Sequence, residues 1–99
     1  MIYRLKFIKE SDKEFKKLTP ALQTQFKKKL GERLLNPKVP KDKLSGYENI
    51  YKIKLKSSGY RLAYEVKDEE IVVLVLSVGK RENNQVYDNL ETRAKTSSN

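Results

Sequence analysis

The stretch Ile50-Tyr51-Lys52-Ile53-Lys54-Leu55-Lys56-Ser57-Ser58-Gly59-Tyr60-Arg61-Leu62-Ala63-Tyr64-Glu65-Val66, followed by the charged Lys67-Asp68-Glu69-Glu70 and the apolar run Ile71 to Val78, decides the fold. It reads as three consecutive strands. In the first two, Tyr51, Ile53 and Leu55, then Tyr60, Leu62, Tyr64 and Val66, alternate with a polar set that includes Lys52, Lys54, Lys56 and Arg61, the pattern of a half-buried antiparallel sheet. One face makes core and the other is a field of positive charge. A slip of one residue would turn every side chain to the wrong face. Parity leaves two registers: with Ser57 and Ser58 as a two-residue loop, Leu55 lies opposite Tyr60, Ile53 opposite Leu62, Tyr51 opposite Tyr64 and Lys54 opposite Arg61. A longer loop keeps the same faces but sets Lys56 opposite Arg61. Either way several cations share one surface, an arrangement that costs some tenths of a kcal/mol per opposed pair and suits an anion placed between them.

Working outward, Ile2 to Ile8 alternates Tyr3, Leu5 and Phe7 with Arg4 and Lys6, predicting a first strand. Ser11, with Glu14 three positions on, has the capping-box spacing of a helix start, and a short helix to about Leu18 is expected. Thr19-Pro20 opens a second helix, since proline suits the first helical position; Leu22, Phe26, Leu30 and Leu34 then recur every fourth residue until Asn36-Pro37. Both helices are expected on one sheet face, with Lys13, Lys16, Lys17, Lys27, Lys28 and Lys29 outward. Lys38 to Asn49 reads as a loop that anchors Leu44. The run Ile71 to Val78 has the continuous apolarity of a central strand covered on both sides. Asn83 or Asn84 is placed to cap a short last helix carrying Val86, Tyr87 and Leu90, and the chain turns polar from Thr92.

The expected architecture is α+β, ordered β-α-α-β-β-β with a short C-terminal helix, its helices on one face of a mostly antiparallel four-stranded sheet. The other face, where Lys52, Lys54 and Arg61 point, is expected to be open. Residues 1–95 form one domain and 96–99 a polar tail.

The 99 residues hold 22 Lys and Arg against 13 Asp and Glu, a net charge of +9. Such an excess favours polyanionic partners, nucleic acid first. No apolar run approaches the ~20 residues that cross a bilayer, so no membrane partner is expected, and the absence of cysteine fits a cytoplasmic protein. Histidine is also absent. RNA cleavage by paired imidazoles is thereby excluded, and without a carboxylate cluster two-metal hydrolysis is unsupported; no cofactor is called for. Acid–base work would fall to Lys, Arg, Tyr or Glu.

Tyr51-Lys52-Ile53-Lys54-Leu55, Ser57-Ser58-Gly59-Tyr60-Arg61-Leu62, Ser77-Val78-Gly79-Lys80-Arg81-Glu82 and Val86-Tyr87, in this order and spacing, resemble the RelE family of bacterial toxins. The resemblance covers nearly the whole chain. It implies a ribosome-dependent, metal-independent endoribonuclease that cuts messenger RNA in the A site of the 70S ribosome. It implies as partners a cognate RelB-like antitoxin and, through the antitoxin complex, operator DNA. The family's functional positions fall on Lys52, Lys54, Arg61, Arg81 and Tyr87, all of matching type, while Ser45 stands where the family often has a basic residue. Crowding among Lys52, Arg61 and Arg81 is expected to make Lys54 a usable general base. Lys52 and Arg61 would hold the scissile phosphate and its developing charge, Arg81 would protonate the leaving group, and Tyr87 would stack on or orient a base. Lys43, Lys56, Lys80, Lys27 and Lys28 are candidate RNA-backbone contacts. Two other readings stand beside this one: a gyrase-targeting toxin of the same fold, and a non-catalytic RNA- or ribosome-binding module.

Overall fold

The computed structural model of the chain describes residues 2–80, 85–88 and 90–97. Strand β1 (Arg4–Phe7) leads into helices α1 (Lys9–Lys16) and α2 (Pro20–Leu35). A 3₁₀ turn (Pro40–Asp42) precedes strands β2 (Ile50–Leu55), β3 (Tyr60–Lys67) and β4 (Val72–Lys80), and the short helices α3 (Gln85–Asp88) and α4 (Leu90–Ser97) follow. The sheet order is β1-β4-β3-β2. β2–β3 and β3–β4 are antiparallel and β1–β4 is parallel, so the expected element order and mostly antiparallel sheet are both present.

Of the two registers that parity allows, the hairpin takes the first: Leu55 faces Tyr60, Ile53 faces Leu62, Tyr51 faces Tyr64 and Lys54 faces Arg61. The connection is longer than the two-residue loop expected. Strand pairing stops at Leu55–Tyr60, and Lys56 to Gly59 turn the chain, with the Gly59 N–H donating to the Leu55 carbonyl at 2.9 Å. Gly59 has φ +75°, a conformation costly for any residue with a Cβ. The other end of β3 differs too. Ile71 is not the first residue of β4 but the last of the turn, with φ 56°, an unusual place for a β-branched side chain. Its carbonyl accepts from the Arg4 N–H at 2.9 Å, which ties the turn to β1.

The sheet separates two cores. Phe26 and Leu30 of α2 and Phe15 of α1 cover a first face formed by Tyr51, Ile53, Leu55, Leu62, Tyr64, Val66, Val73, Val75 and Val78. Helix α1 does this from the side. Where pairing of β4 with β1 ends at Val75, whose carbonyl accepts from the Ile8 N–H at 3.3 Å, α1 supplies further partners: Ser11 Oγ donates to the Val75 carbonyl at 2.6 Å, and Glu14 Oε1 accepts from the Val78 N–H at 3.1 Å. The capping-box reading of Ser11 and Glu14 is thereby corrected. The helix starts two residues before Ser11, whose hydroxyl reaches back to the Ile8 N–H at 3.1 Å. At α2, Thr19 caps the Leu22 N–H at 3.4 Å and Pro20 takes the first position, as expected.

The second face was expected to be open and is not. Val86 of α3 and Leu90 of α4 are buried against Ile50, Ala63, Val72, Leu74 and Leu76, with Leu44 and Tyr47 of the 36–49 connection at the margin. That connection also carries its 3₁₀ turn and a bridge from Lys43 to Tyr51 at the edge of β2. Helix α4 continues to Ser97 through residues read from the sequence as polar chain and tail. The expected cap residues Asn83 and Asn84 lie outside the described residues. β4 serves both cores through a bulge. Ala63 pairs with Ser77 and Tyr64 with Val75, leaving Leu76 as the extra residue, so Val75 and Val78 both reach the first core while Leu76 enters the second.

One exposed cluster ties the turn to the rest. Asp68 accepts from the Tyr3 hydroxyl at 2.8 Å and from Lys38 Nζ at 2.5 Å. The Lys38 hydrogen bond, then that of Tyr3, lowers the Asp68 pKa; the bond to Asp68 raises those of Lys38 and Tyr3. The depressed carboxyl contributes stability that is present above its unfolded pKa and lost as pH falls through the folded value. The raised groups contribute stability present below their unfolded values and lost as pH rises through the folded ones. Asp68→Asn is therefore expected to lower Tm slightly near neutrality and to reduce the further fall in Tm on acidification from about pH 7 to about pH 3. Equal acid sensitivity of the two proteins would show that the cluster plays no part.

Candidate active site

The site starts from the pleat. On β2, Ile50, Lys52 and Lys54 share the second face; on β3, Arg61 and Ala63 do. The apolar members, nearer one end, lie under α3 and α4. Past the edge of that cover, the same face presents cations: Lys54 is directly across from Arg61, and Lys52 is two residues along, across from Ala63. Lys54 is exposed, while Lys52 and Arg61 are half-buried.

Helix α3 completes the group. Val86 packs on the sheet close to Gly79, where a Cβ would come within 3.2 Å of Val86 Cγ2. Gly79 is the β4 residue opposite Arg61. A bare backbone there lets α3 settle low enough for Tyr87 to reach the cations. Arg61 Nη1 donates to the Tyr87 hydroxyl at 3.3 Å, and its guanidinium carbon is 5.9 Å from the Tyr87 ring centroid. Four of the five residues assigned by resemblance thus converge on one face. Arg81 lies outside the described residues. A cavity of 300 Å³ opens beside the cluster, with Lys54, Lys56, Tyr60 and Arg61 among its walls.

The five candidate backbone contacts distribute differently. Lys56 lies in the turn and shares that cavity. Lys80 is paired with Tyr60 and sits 5.6 Å over its ring, on the side of the first core. Lys43 bridges to Tyr51, also a first-core residue. Lys27 and Lys28 are on the exposed surface of α2, across the sheet from Lys54. Lys29 and Lys41 come nearer than these: with Arg33, Asp42, Lys54 and Lys56 they surround a 240 Å³ recess at the edge of β2. Their proximity has no local signal, since it depends on how α2 and the 36–49 connection meet the edge strand.

Sequence reading also missed what braces the site. Arg33 Nη1 donates to the Lys52 carbonyl at 3.2 Å and to the Tyr64 hydroxyl at 2.8 Å, while Nη2 pairs with Asp42 at 2.5 Å. Tyr64, fully buried, donates to the Pro37 carbonyl at 2.6 Å. Burial raises the Tyr64 pKa and Arg33 opposes that rise. On the other side, Arg93 of α4 donates to both Glu14 oxygens at 3.0 and 3.1 Å and to the Leu76 carbonyl at 2.8 Å. This links α1, β4 and the C-terminal helices. Among the described residues no group of three or more His, Cys, Asp or Glu could hold a metal ion, and no helix is long and apolar enough to cross a membrane.

The family model described as the ParE toxin of the type II toxin–antitoxin system, parDE, matches residues 2–85. The mRNA interferase toxin RelE of Escherichia coli (strain K12) is 52% identical over 87 residues, which cover 88% of this chain and 92% of that relative. Among solved structures, a mutant of E. coli toxin RelE in the free state superposes with a TM-score of 0.88 at 48% identity, covering 94% of this chain and 98% of the other. The toxin of the intact E. coli RelBE toxin–antitoxin complex gives 0.77 at 51% identity, covering 79% and 95%.

Proposed function

Because this chain belongs to the RelE toxins, within the ParE toxin family of type II toxin–antitoxin systems, we propose that it is an mRNA interferase that cleaves messenger RNA in the ribosomal A site. A RelB-like antitoxin holds it inactive. The observation that carries this reading is the convergence of Lys52, Lys54, Arg61 and Tyr87 on one sheet face, with Lys54 across from Arg61, Tyr87 hydrogen-bonded to Arg61, and Lys54 and Arg61 lining one cavity. A gyrase-directed activity has no use for that set.

In the proposed reaction the 2′-hydroxyl oxygen attacks the adjacent phosphorus. The Lys54 amine takes its proton, the bond from phosphorus to the 5′-oxygen breaks, and the products are a 2′,3′-cyclic phosphate and a 5′-hydroxyl end. Lys52 and Arg61 balance the charge that gathers on the phosphorane, an effect strongest in a site that excludes water. The 5′-oxygen takes a proton from Arg81, the role that the resemblance gives this residue. Tyr87 orients a base against the cluster, with Arg61 fixing its hydroxyl. An acid–base set without imidazole is a weak catalyst by itself. Holding the substrate near attack geometry can supply several kcal/mol, and a ribosome offers that hold. The setting for such chemistry is the cytoplasm.

The test is primer extension on a defined messenger RNA with purified protein, with and without programmed ribosomes whose A site is empty. Cleavage inside the A-site codon, only with ribosomes, is the expected result. Folded protein that binds ribosomes and cleaves nothing would instead be a binding module.

A further inference from the structure

Tyr60 stands between two cavities. On one side it borders the 300 Å³ cavity of the cationic face. On the other it borders a 470 Å³ cavity at the end of the sheet, together with Glu14, Lys17, Leu18 and Lys80. Sequence parity leaves this tyrosine in the core, but it is only half-buried, packed at the margin of the first core. Lys17 and Lys80 are both exposed, and among the described residues neither forms an ion pair. Lys80 rests instead over the Tyr60 ring at 5.6 Å. The one carboxylate at the wall, Glu14, is already engaged by Arg93 and by the Val78 N–H, so it does little to oppose an incoming anion.

We infer that this second cavity is a subsite for single-stranded RNA, taking a nucleotide that flanks the cleaved one, its base on the Tyr60 ring and its phosphate at Lys17 and Lys80. An aromatic ring with cations beside it is the pairing that a nucleotide satisfies at both ends, base on ring and phosphate on ammonium. The long lysine stem lets the Lys80 ammonium leave the ring for a phosphate as the base arrives. Tyr60 borders both cavities and follows directly on the turn from Lys56 to Gly59, so a strand leaving Lys54 and Arg61 reaches the second cavity across a single side chain. The inference rests on the mRNA-cleavage reading and extends its substrate contacts to the opposite side of the hairpin end.

The experiment compares wild type, Tyr60→Leu, Tyr60→Phe and the double variant Lys17→Gln/Lys80→Gln in two arms. In the first, single-turnover cleavage on programmed ribosomes is followed over a range of protein concentrations, using messages with an abasic nucleotide at each position flanking the cleaved bond. Tyr60→Leu and the double variant are expected to raise the half-saturating concentration roughly tenfold and to leave the maximal rate within about twofold, the sign of lost binding and not lost chemistry. Tyr60→Phe keeps the ring and should match wild type. One abasic position should cost the wild type the same factor and cost Tyr60→Leu nothing more. Equal losses for Tyr60→Leu on every message would overturn the subsite, as would unchanged half-saturation. So would normal cleavage by variants that have lost affinity for an acidic protein partner, since the cavity would then dock protein. The second arm measures binding of a fluorescent single-stranded oligoribonucleotide at low salt without ribosomes. If the wild type cleaves nothing yet the same variants weaken this binding, the subsite stands and the nuclease reading fails; unweakened binding there removes the subsite as well.

Discussion

Lys54→Ala abolishes most cleavage: on programmed ribosomes the single-turnover rate is expected to fall about 10²- to 10⁴-fold, the range that a positioned acid or base contributes. Ribosome binding should change little, because one exposed cation on a chain of net charge +9 is a small part of a long-range attraction. The informative partner is Lys54→Arg. Arginine keeps the positive charge across from Arg61 but does not release its proton in the accessible pH range. If Lys54 accepts the 2′-hydroxyl proton, Lys54→Arg is nearly as inactive as Lys54→Ala, and the rise in rate with pH expected of the wild type is absent from both. Substantial activity in Lys54→Arg would show that the position supplies charge alone, and the base would have to be sought elsewhere.

Arg33→Ala acts on the fold. The Arg33 and Asp42 side chains are 16% and 18% exposed, and the guanidinium serves a carboxylate, a phenol and a strand carbonyl together. Removing it strands Asp42 and leaves the Lys52 carbonyl without this donor. Breaking a largely buried pair from one side costs about 2–4 kcal/mol, or a fall in Tm of about 10–25 °C for a chain of this length. Arg33→Met, which keeps the volume of the stem, should recover part of that loss through packing. Equilibrium denaturation measures both. At a temperature where Arg33→Ala is folded, cleavage should remain within a few-fold of wild type, since no catalytic atom contacts the guanidinium. A loss below about 0.5 kcal/mol would mean that the pair behaves as a surface contact despite its burial.

These residues also mark how far the sequence could be read. The faces of the hairpin were legible because alternation constrains parity at every position from Tyr51 to Val66, and the structure has one of the two registers that parity leaves open. Helix α2 was legible from its fourfold spacing and its Thr19-Pro20 start. Contacts between residues far apart in the chain were not. Ser11 and Glu14 carry a local capping pattern but serve the edge of β4, 64 residues away. The covering of the second face by α3 and α4 depends on Val86 and Leu90 finding Leu74 and Leu76, and no periodicity announces which face a terminal helix will choose. The grouping of Lys52, Lys54 and Arg61 follows from parity alone, whereas Tyr87 could be assigned to them only by resemblance until the packing of α3 was known.

The bulge at Leu76 has a further effect at the far end of its strand. Strict alternation from Val75 would send Gly79 toward the helices of the first core and Lys80 out beside Arg61. The one extra residue reverses both, setting Gly79 beneath Val86 and Lys80 over Tyr60. It acts as a half-step phase shift placed downstream of all pairing with β1, which ends at Val75. A single-residue insertion or deletion between Val75 and Val78 would therefore exchange a gap for a charge on the cationic face while the rest of the sheet kept its pairing. In descent from a common scaffold, that is a short genetic route by which related chains could reassign the same cation from one side of the molecule to the other.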